Sequence, residues 1–227
     1  MSPDQLIRRG GLALLLGAVL WGIGEISWGL FVLSADDPTE YPQPTATILW
    51  VVVLTGLIFI MLGLPSLYAA QARQARALGL VGFVVLFVGH VLMAGIAYYG
   101  VTLQRGVSEL VVEAEDAGIT LPEEPAAAGI GYLAAYGLHL LGWILLGVAS
   151  LRAGVLPRWP VVLVIAVPVL FFVGNMSGAA AALGALATVM PLLFAVGLAW
   201  LGLTLVRRDE LAGVTDYALP PSAPSGT

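Results

Sequence analysis

The sequence predicts an all-α integral membrane protein, built as a bundle of six transmembrane helices with both termini in the cytoplasm. Hydrophobic residues make up 59% of the 227 residues and charged residues only 10%. The mean hydropathy of +0.98 lies far outside the range of soluble domains. Six apolar runs and a one-sided distribution of arginines complete the prediction, and together they indicate a single domain of membrane-spanning helices.

The first apolar run, residues 11–33, directly follows Arg8 and Arg9. It is longer than the apolar core of a signal peptide, which has about 7–15 residues. It also contains Glu25 and Trp28, which are unusual in such a core. We therefore predict that this run is a signal anchor, retained as the first transmembrane helix.

The later apolar runs approach or exceed the roughly 20 residues that a spanning helix needs. Pro168 and Pro191 fall inside the fifth and sixth runs. Membrane helices tolerate proline because neighbouring groups satisfy the freed backbone carbonyls. The predicted spans are residues 11–33, 47–70, 78–102, 128–151, 159–176 and 180–205.

The arginines predict the orientation of these spans. The chain has no lysine, and with six spans every arginine except Arg105 falls on the same side. Because positively charged loops stay in the cytoplasm, both termini are expected there, with the chain in the inner (cytoplasmic) membrane. The opposite side carries acidic residues, namely Asp36, Asp37, Glu40, Glu109, Glu113, Glu115, Asp116, Glu123 and Glu124.

Three segments outside the spans have distinct predicted properties. Residues 34–45 are Pro-rich and predict irregular structure, and residues 209–227 predict a disordered cytoplasmic tail. The outer segment 104–125 contains a short amphipathic helix whose apolar face lies on membrane lipid, caps the bundle or docks on a partner membrane protein. That face comprises Val107, Leu110, Val111 and Ala114.

Several function classes are excluded or disfavoured. The chain has no cysteine, which excludes disulfides, thiolate catalysis and Cys-ligated metal sites. No basic patch supports nucleic-acid binding. The sequence has no P-loop, dinucleotide fingerprint or nucleophile elbow, so it favours a non-catalytic role over an enzyme.

The main functional signal is the depth of three ionisable side chains. The midpoints of the third and fourth spans fall at His90 and His139, the only histidines of the chain. Glu25 lies about 4–5 Å outward of that level, at the helical rise of about 1.5 Å per residue. Ionisable residues are costly in a membrane and mark functional sites by default.

Aromatic residues surround these groups at helical spacing. Tyr132, Tyr136 and Trp143 share the face of His139, and Trp28 shares the face of Glu25. The sequence therefore predicts an aromatic-lined pocket, or a packed polar core, in the outer half of the bundle. The predicted site residues are His90, His139, Glu25, Tyr136, Tyr98, Trp28, Trp143 and Phe87.

Four interpretations of this site remain open. The first is structural, with Glu25 and the histidines joining helices through hydrogen bonds. The second is haem b held axially by His90 and His139, with Phe87, Tyr136 and Trp143 packing the macrocycle. A third is a metal site of His90, His139 and Glu25. The fourth is a site for a small or lipid-like ligand, with Glu25 and a histidine as proton carriers.

At the level of the whole protein, the leading hypothesis is a membrane ligand-binding protein, with haem b as the most testable ligand. The alternative is a non-catalytic accessory or assembly subunit that meets its partner through segment 104–125. A transporter of a small solute or lipid comes third, because the spans contain few charges and no broken-helix polar runs.

Glycines in the spans predict close contacts between helices, because small residues let two backbones approach each other. The predicted contact positions are Gly22, Gly24, Gly29, Gly82, Gly89, Gly95, Gly142 and Gly147.

The segment LRAGVLPRWPVVLVI at residues 151–165, preceded by GWILLGVAS, resembles a segment of uncharacterised small polytopic membrane proteins of high-GC bacteria. The opening GGLALLLGAVLWGIGE and the later LGLPSLYAAQARQARALGLVGF share this resemblance. The resemblance implies a bundle of about six helices, and it assigns no functional residue.

Overall fold

The computed structural model describes residues 3–34, 44–119, 126–176 and 184–207. These described residues are helical apart from short turns and contain no strand. The helices are α1 (Pro3–Ser34), α2 (Thr45–Ala69), α3 (Ala72–Thr102), α4 (Gln104–Asp116), α5 (Ala126–Ala153), α6 (Arg158–Met176) and α7 (Gly184–Val206).

The predicted all-α membrane class is confirmed. Five of these helices, α1, α2, α3, α5 and α7, are long and apolar enough to cross a membrane. The apolar stretch of α6, Arg158–Gly174, is shorter than the other five. The chain is therefore a multi-pass helical membrane protein by helix length and composition. Residues 35–43 and the predicted disordered tail, 209–227, lie outside the described residues.

Two helix ends follow from local sequence, because a glycine with a positive φ stands after each of them. Helix α5 ends at Gly154, whose φ of +65° closes the helix in a left-handed conformation that glycine adopts at little cost. The short outer helix predicted within 104–125 is present as α4, and Gly118 follows it at a φ of +69°. One irregularity lies near the start of α3, where Arg76 takes a φ of 52° and kinks the helix.

The six long helices pack in a closed ring that follows chain order. Helix α1 contacts α2 and α7, and the ring continues through contacts between α2 and α3, α3 and α5, α5 and α6, and α6 and α7. Helix α4 packs on the end of α3. The largest buried cluster contains leucines of α1, α2, α3, α5 and α7, together with Trp143, so the core runs along the inside of the ring.

Glycines bring the backbones of three helix pairs into direct contact. A Cβ atom at Gly17 of α1 would lie 2.5 Å from the Ile60 nitrogen of α2, and one at Gly202 of α7 would lie 2.8 Å from the Leu15 nitrogen of α1. Between α3 and α5, a Cβ atom at Gly89 would lie 2.5 Å from the His139 nitrogen. Side chains larger than a hydrogen atom are therefore excluded at these positions.

The contact role predicted for the glycines is confirmed at most of the predicted positions and wrong at one. Gly95 has no atom within 4 Å of where its Cβ would stand, because it faces away from the neighbouring helices. The confirmed positions are Gly22, Gly24, Gly82, Gly89, Gly142 and Gly147.

Candidate functional site

A cavity of about 390 Å³ lies inside the helix ring. Every long helix contributes to its wall, so the cavity is a property of the whole bundle. Most of the wall is apolar or aromatic, and the polar side chains are few. The described lining residues are Trp21, Glu25, Leu57, Ile60, His90, Met93, Tyr132, Leu133, Tyr136, His139, Leu140, Val167, Pro168, Phe171, Phe172, Met190, Pro191 and Phe194.

His90 is held in one orientation by its own helix. The side chain is fully buried, and its Nδ1 atom lies 3.0 Å from the backbone oxygen of Leu86, one helical turn earlier. Because a carbonyl oxygen only accepts hydrogen bonds, Nδ1 must carry the proton and donate it. In the neutral ring, Nε2 then presents a lone pair, and it has no hydrogen-bond partner among the described residues.

His139 faces His90 across the interface of α3 and α5. The two ring centroids are 4.7 Å apart, and the ring planes are tilted by 42°. Gly89 makes this proximity possible, because its missing side chain lets the backbone of α3 reach that of His139. The Nδ1 atom of His139 is buried and has no hydrogen-bond partner among the described residues.

Trp143 completes this cluster from one turn along α5. Its ring meets the His90 ring edge-on at a centroid distance of 5.9 Å and the His139 ring at 6.3 Å. The indole nitrogen is also buried without a partner among the described residues. Buried polar atoms are nearly always hydrogen-bonded, so these three nitrogens leave unused hydrogen-bonding capacity in the cluster.

Glu25 enters the same cavity from α1. Tyr132 and Tyr136 line the cavity with it, from one face of α5. Glu25 is the only carboxyl among the described lining residues, and none of those residues is an arginine. The cavity wall thus combines one acidic group, two imidazoles and two tyrosine hydroxyls on an apolar background.

The structure brings together part of the predicted site. Four of the predicted residues line the cavity, and Trp143 packs directly behind the two histidines. The predicted residues in the cavity wall are Glu25, His90, Tyr136 and His139.

The other three predicted residues lie elsewhere among the described residues. Tyr98 is 60% exposed, near the carboxyl end of α3. Trp28 packs its ring against Trp50 of α2, with centroids 5.2 Å apart. Phe87 packs into the main core beside Phe83.

Sequence reasoning missed the far wall of the cavity. Phe171 and Phe172 of α6 and Phe194 of α7 line it, together with Pro168 and Pro191. The only available signal was the pair of prolines inside two apolar helices, because a proline that interrupts a membrane helix often borders a cavity.

The predicted three-residue metal site is not formed. No group of three or more His, Cys, Asp or Glu side chains within the described residues is arranged to hold a metal ion. Glu25, His90 and His139 are all described, and they share the cavity without converging on one point. The three side chains come from three different helices, α1, α3 and α5, and they contribute to the wall of the cavity rather than to one point.

A haem between His90 and His139 does not fit this geometry. Two imidazoles on opposite faces of one iron hold their ring centroids about 6 Å apart, since each metal–nitrogen bond is about 2 Å long and each centroid lies about 1 Å behind its nitrogen. The observed separation is 4.7 Å. The rings are nearly in contact, and the helix backbones beside them are in direct contact at Gly89, so no porphyrin can lie between them.

No family model, curated protein or solved structure matches the chain.

Proposed function

We propose that this protein binds a small hydrophobic ligand inside the membrane, in the cavity of the helix ring, and that it does so without catalysing a reaction. The supporting observation is the cavity itself: about 390 Å³, apolar and aromatic over most of its wall, with a few convergent polar groups. Ligand sites in proteins have this size and composition. The buried, unpartnered nitrogens of His90, His139 and Trp143 provide hydrogen-bonding capacity beside it.

The proposal includes six membrane spans, with both termini in the cytoplasm of a bacterial cell and the chain in the inner membrane. Helix α6 has 19 residues and therefore a length of about 28 Å, close to the hydrocarbon thickness of a bilayer. With six spans, Arg8, Arg9, Arg152 and Arg158 share one side with Arg207, as the positive-inside rule requires.

Native mass spectrometry of the detergent-purified protein tests the proposal. The wild type is expected to carry a bound small molecule that survives removal of detergent. Leu133→Trp places a large side chain in the cavity wall and should abolish this adduct. Leu141→Trp is the matched control, because Leu141 is also an exposed leucine of α5 but does not line the cavity.

A wild-type protein without any adduct, whose thermal stability is unchanged by a panel of hydrophobic compounds, would contradict the proposal. The structural interpretation of the polar cluster would then be preferred, with the histidines and Glu25 serving only to join helices.

The apolar face of α4 favours a second candidate, an accessory or assembly subunit. Leu110 is 64% exposed, and Val107 and Val111 lie on the same helix face and are also exposed. Deleting Val107–Gly118 is expected to release a stoichiometric partner while the bundle remains folded. An identical subunit composition before and after the deletion would count against this candidate.

A further inference from the structure

The wall of the cavity is unusually rich in aromatic rings. Six of the described lining residues are aromatic, and they come from α1, α5, α6 and α7, so rings surround the space from several directions. The face of an aromatic ring carries partial negative charge and attracts cations, most strongly where water is excluded. These residues are Trp21, Tyr132, Tyr136, Phe171, Phe172 and Phe194.

The charge of the wall has the same sign as the ring faces. Glu25 is the only carboxyl among the described lining residues, none of these residues is an arginine, and the chain contains no lysine. The histidines add no fixed positive charge, because a protonated imidazole is unfavourable in an apolar wall unless a carboxylate pairs with it, and the ring of His90 bonds to the backbone oxygen of Leu86 instead. The cavity therefore has the electrostatics of a cation site.

Part of the cavity wall is accessible. Four lining residues are exposed by more than a third of their surface: Tyr132 by 43%, Leu133 by 54%, Tyr136 by 38% and Phe171 by 37%. They belong to α5 and α6, the neighbouring helices with the least extensive contact in the ring. An entrance between these two helices would open sideways, into the hydrocarbon layer.

We propose that the ligand is a lipophilic cation, such as an aryl-substituted ammonium, which enters from the lipid between α5 and α6 and pairs its charge with Glu25 among the aromatic rings. This inference rests on the proposed function, since it names the chemistry of the ligand of the same cavity.

Glu25 and a hydrophobic cation each lower the cost of burying the other's charge. A carboxyl group in an apolar wall carries its charge at a high cost and takes up a proton unless an opposite charge accompanies it. A hydrophobic cation provides that charge without needing hydrogen-bond acceptors, and its organic groups pack on the rings. A hydrophobic anion of the same size would meet Glu25 and the ring faces with the wrong sign and is expected to bind poorly.

Tetraphenylphosphonium and tetraphenylborate provide the test, because they have nearly the same shape and opposite charges. Radiolabelled forms of both ions are equilibrated with the detergent-purified full chain immobilised on beads, and protein-free beads correct for partition into micelles. The expected result is saturable binding of tetraphenylphosphonium and an affinity for tetraphenylborate lower by about tenfold or more.

Two carboxyl variants test whether Glu25 provides the counter-charge for the bound cation. Glu25→Gln keeps the size of the side chain and should weaken tetraphenylphosphonium binding by about tenfold or more, because it removes the counter-charge in a poorly solvated site. Glu113→Gln is the matched control on exposed α4 and should leave the affinity unchanged. The thermal stability and the elution volume of each variant confirm that it remains folded.

The outcomes separate this inference from the proposed function. If both ions bind equally, or if Glu25→Gln binds tetraphenylphosphonium as the wild type does, the inference is overturned. Should that charge-independent binding be lost in Leu133→Trp and kept in Leu141→Trp, the cavity is still a ligand site and the proposed function stands. Absence of binding of tetraphenylphosphonium to a wild type that carries an endogenous adduct likewise overturns the inference alone.

Discussion

His90 and His139 stand ring to ring across the interface of α3 and α5, with centroids 4.7 Å apart and planes tilted by 42°. The two side chains differ in burial and in hydrogen bonding. Both line the cavity, but His90 is fully buried and hydrogen-bonded to its own backbone, whereas His139 is partly exposed. Substitution of the two histidines is therefore expected to change stability and ligand binding to different extents, although both lie at the midpoints of their predicted spans.

Replacement of each histidine by alanine separates structure from binding. His90→Ala removes a fully buried side chain that packs on Trp143 and His139, and it should lower the free energy of unfolding by roughly 2–4 kcal/mol. His139→Ala enlarges a cavity that is already present and should cost less stability, while weakening ligand binding. Thermal unfolding and native mass spectrometry of both variants measure the two effects.

Equal losses of stability in the two variants, with the bound mass unchanged, would show that the pair only joins α3 to α5. A conservative control is His139→Gln, which keeps a polar group beside the cavity and should retain more of the bound ligand than His139→Ala.

The contact distance between the rings also predicts the visible spectrum. Because a haem needs about 6 Å between the imidazole centroids, the purified protein is expected to show no Soret band in either the oxidised or the dithionite-reduced state. Added haemin should not produce the low-spin spectrum of an iron with two histidine ligands. A Soret band that sharpens on reduction and disappears in His90→Ala would mean that α3 and α5 separate to admit a porphyrin.

The helices could be predicted from sequence because apolar runs of about 20 residues have few alternatives in a membrane. The differences lie at the helix ends. Helix α1 begins at Pro3 rather than residue 11, and α3 begins at Ala72 rather than residue 78. Hydropathy marks the portion of a helix in hydrocarbon, whereas backbone hydrogen bonding continues into the headgroup region and carries Arg8 and Arg73 with it.

The level of the site residues along their helices could be predicted from sequence, but the face of each helix that points into the cavity could not. The regular rise of a helix placed Glu25, His90 and His139 at similar levels, and all three line one cavity. Tyr98 and Phe87 are among the predicted site residues, yet neither lines the cavity. A helix that is apolar all around gives no signal of which face points inward.

Because α3 packs closely on α5, adding a single methyl group at Gly89 should destabilise the protein. Gly89→Ala would place a Cβ atom 2.5 Å from the His139 nitrogen, so one helix must move. The expected loss is roughly 1–3 kcal/mol of unfolding free energy, as for other overpacked interfaces. Gly95→Ala is the matched control on the same helix, because nothing lies within 4 Å of its Cβ position.

Thermal unfolding in detergent checks this pair of variants. If Gly89→Ala is as stable as the wild type, the backbones of α3 and α5 are further apart than described. If Gly95→Ala is also destabilised, the loss has a cause other than helix contact.

Two further glycines, Gly137 within α5 and Gly154 directly after it, separate the effect of backbone conformation from that of packing. Gly137 and Gly154 both have open surroundings, but Gly154 has a φ of +65° and Gly137 is helical. Gly154→Ala should therefore destabilise by about 1–2 kcal/mol, because an L side chain is strained in the left-handed region. Gly137→Ala should leave stability unchanged or raise it by up to about 1 kcal/mol. Effects of the same sign in thermal unfolding would contradict the φ of Gly154.

Single cysteines test the six-span topology, since the chain has none of its own. Glu113→Cys, Val155→Cys and Val206→Cys place one thiol on α4, after α5 and at the end of α7, respectively. With six spans, a membrane-impermeant maleimide should label Glu113→Cys in intact cells, and the other two only after the membrane is opened. Exposed Glu109→Cys on α4 is a second outer control.

The label at Val206→Cys decides whether α6 crosses the membrane. Only α6 and α7 separate this position from Val155. If α6 spans the bilayer, the two positions share the cytoplasmic side, because two crossings return the chain to where it began. If α6 does not span it, Val206→Cys appears outside while Val155→Cys remains inside, and Arg207 then joins Arg105 against the positive-inside rule.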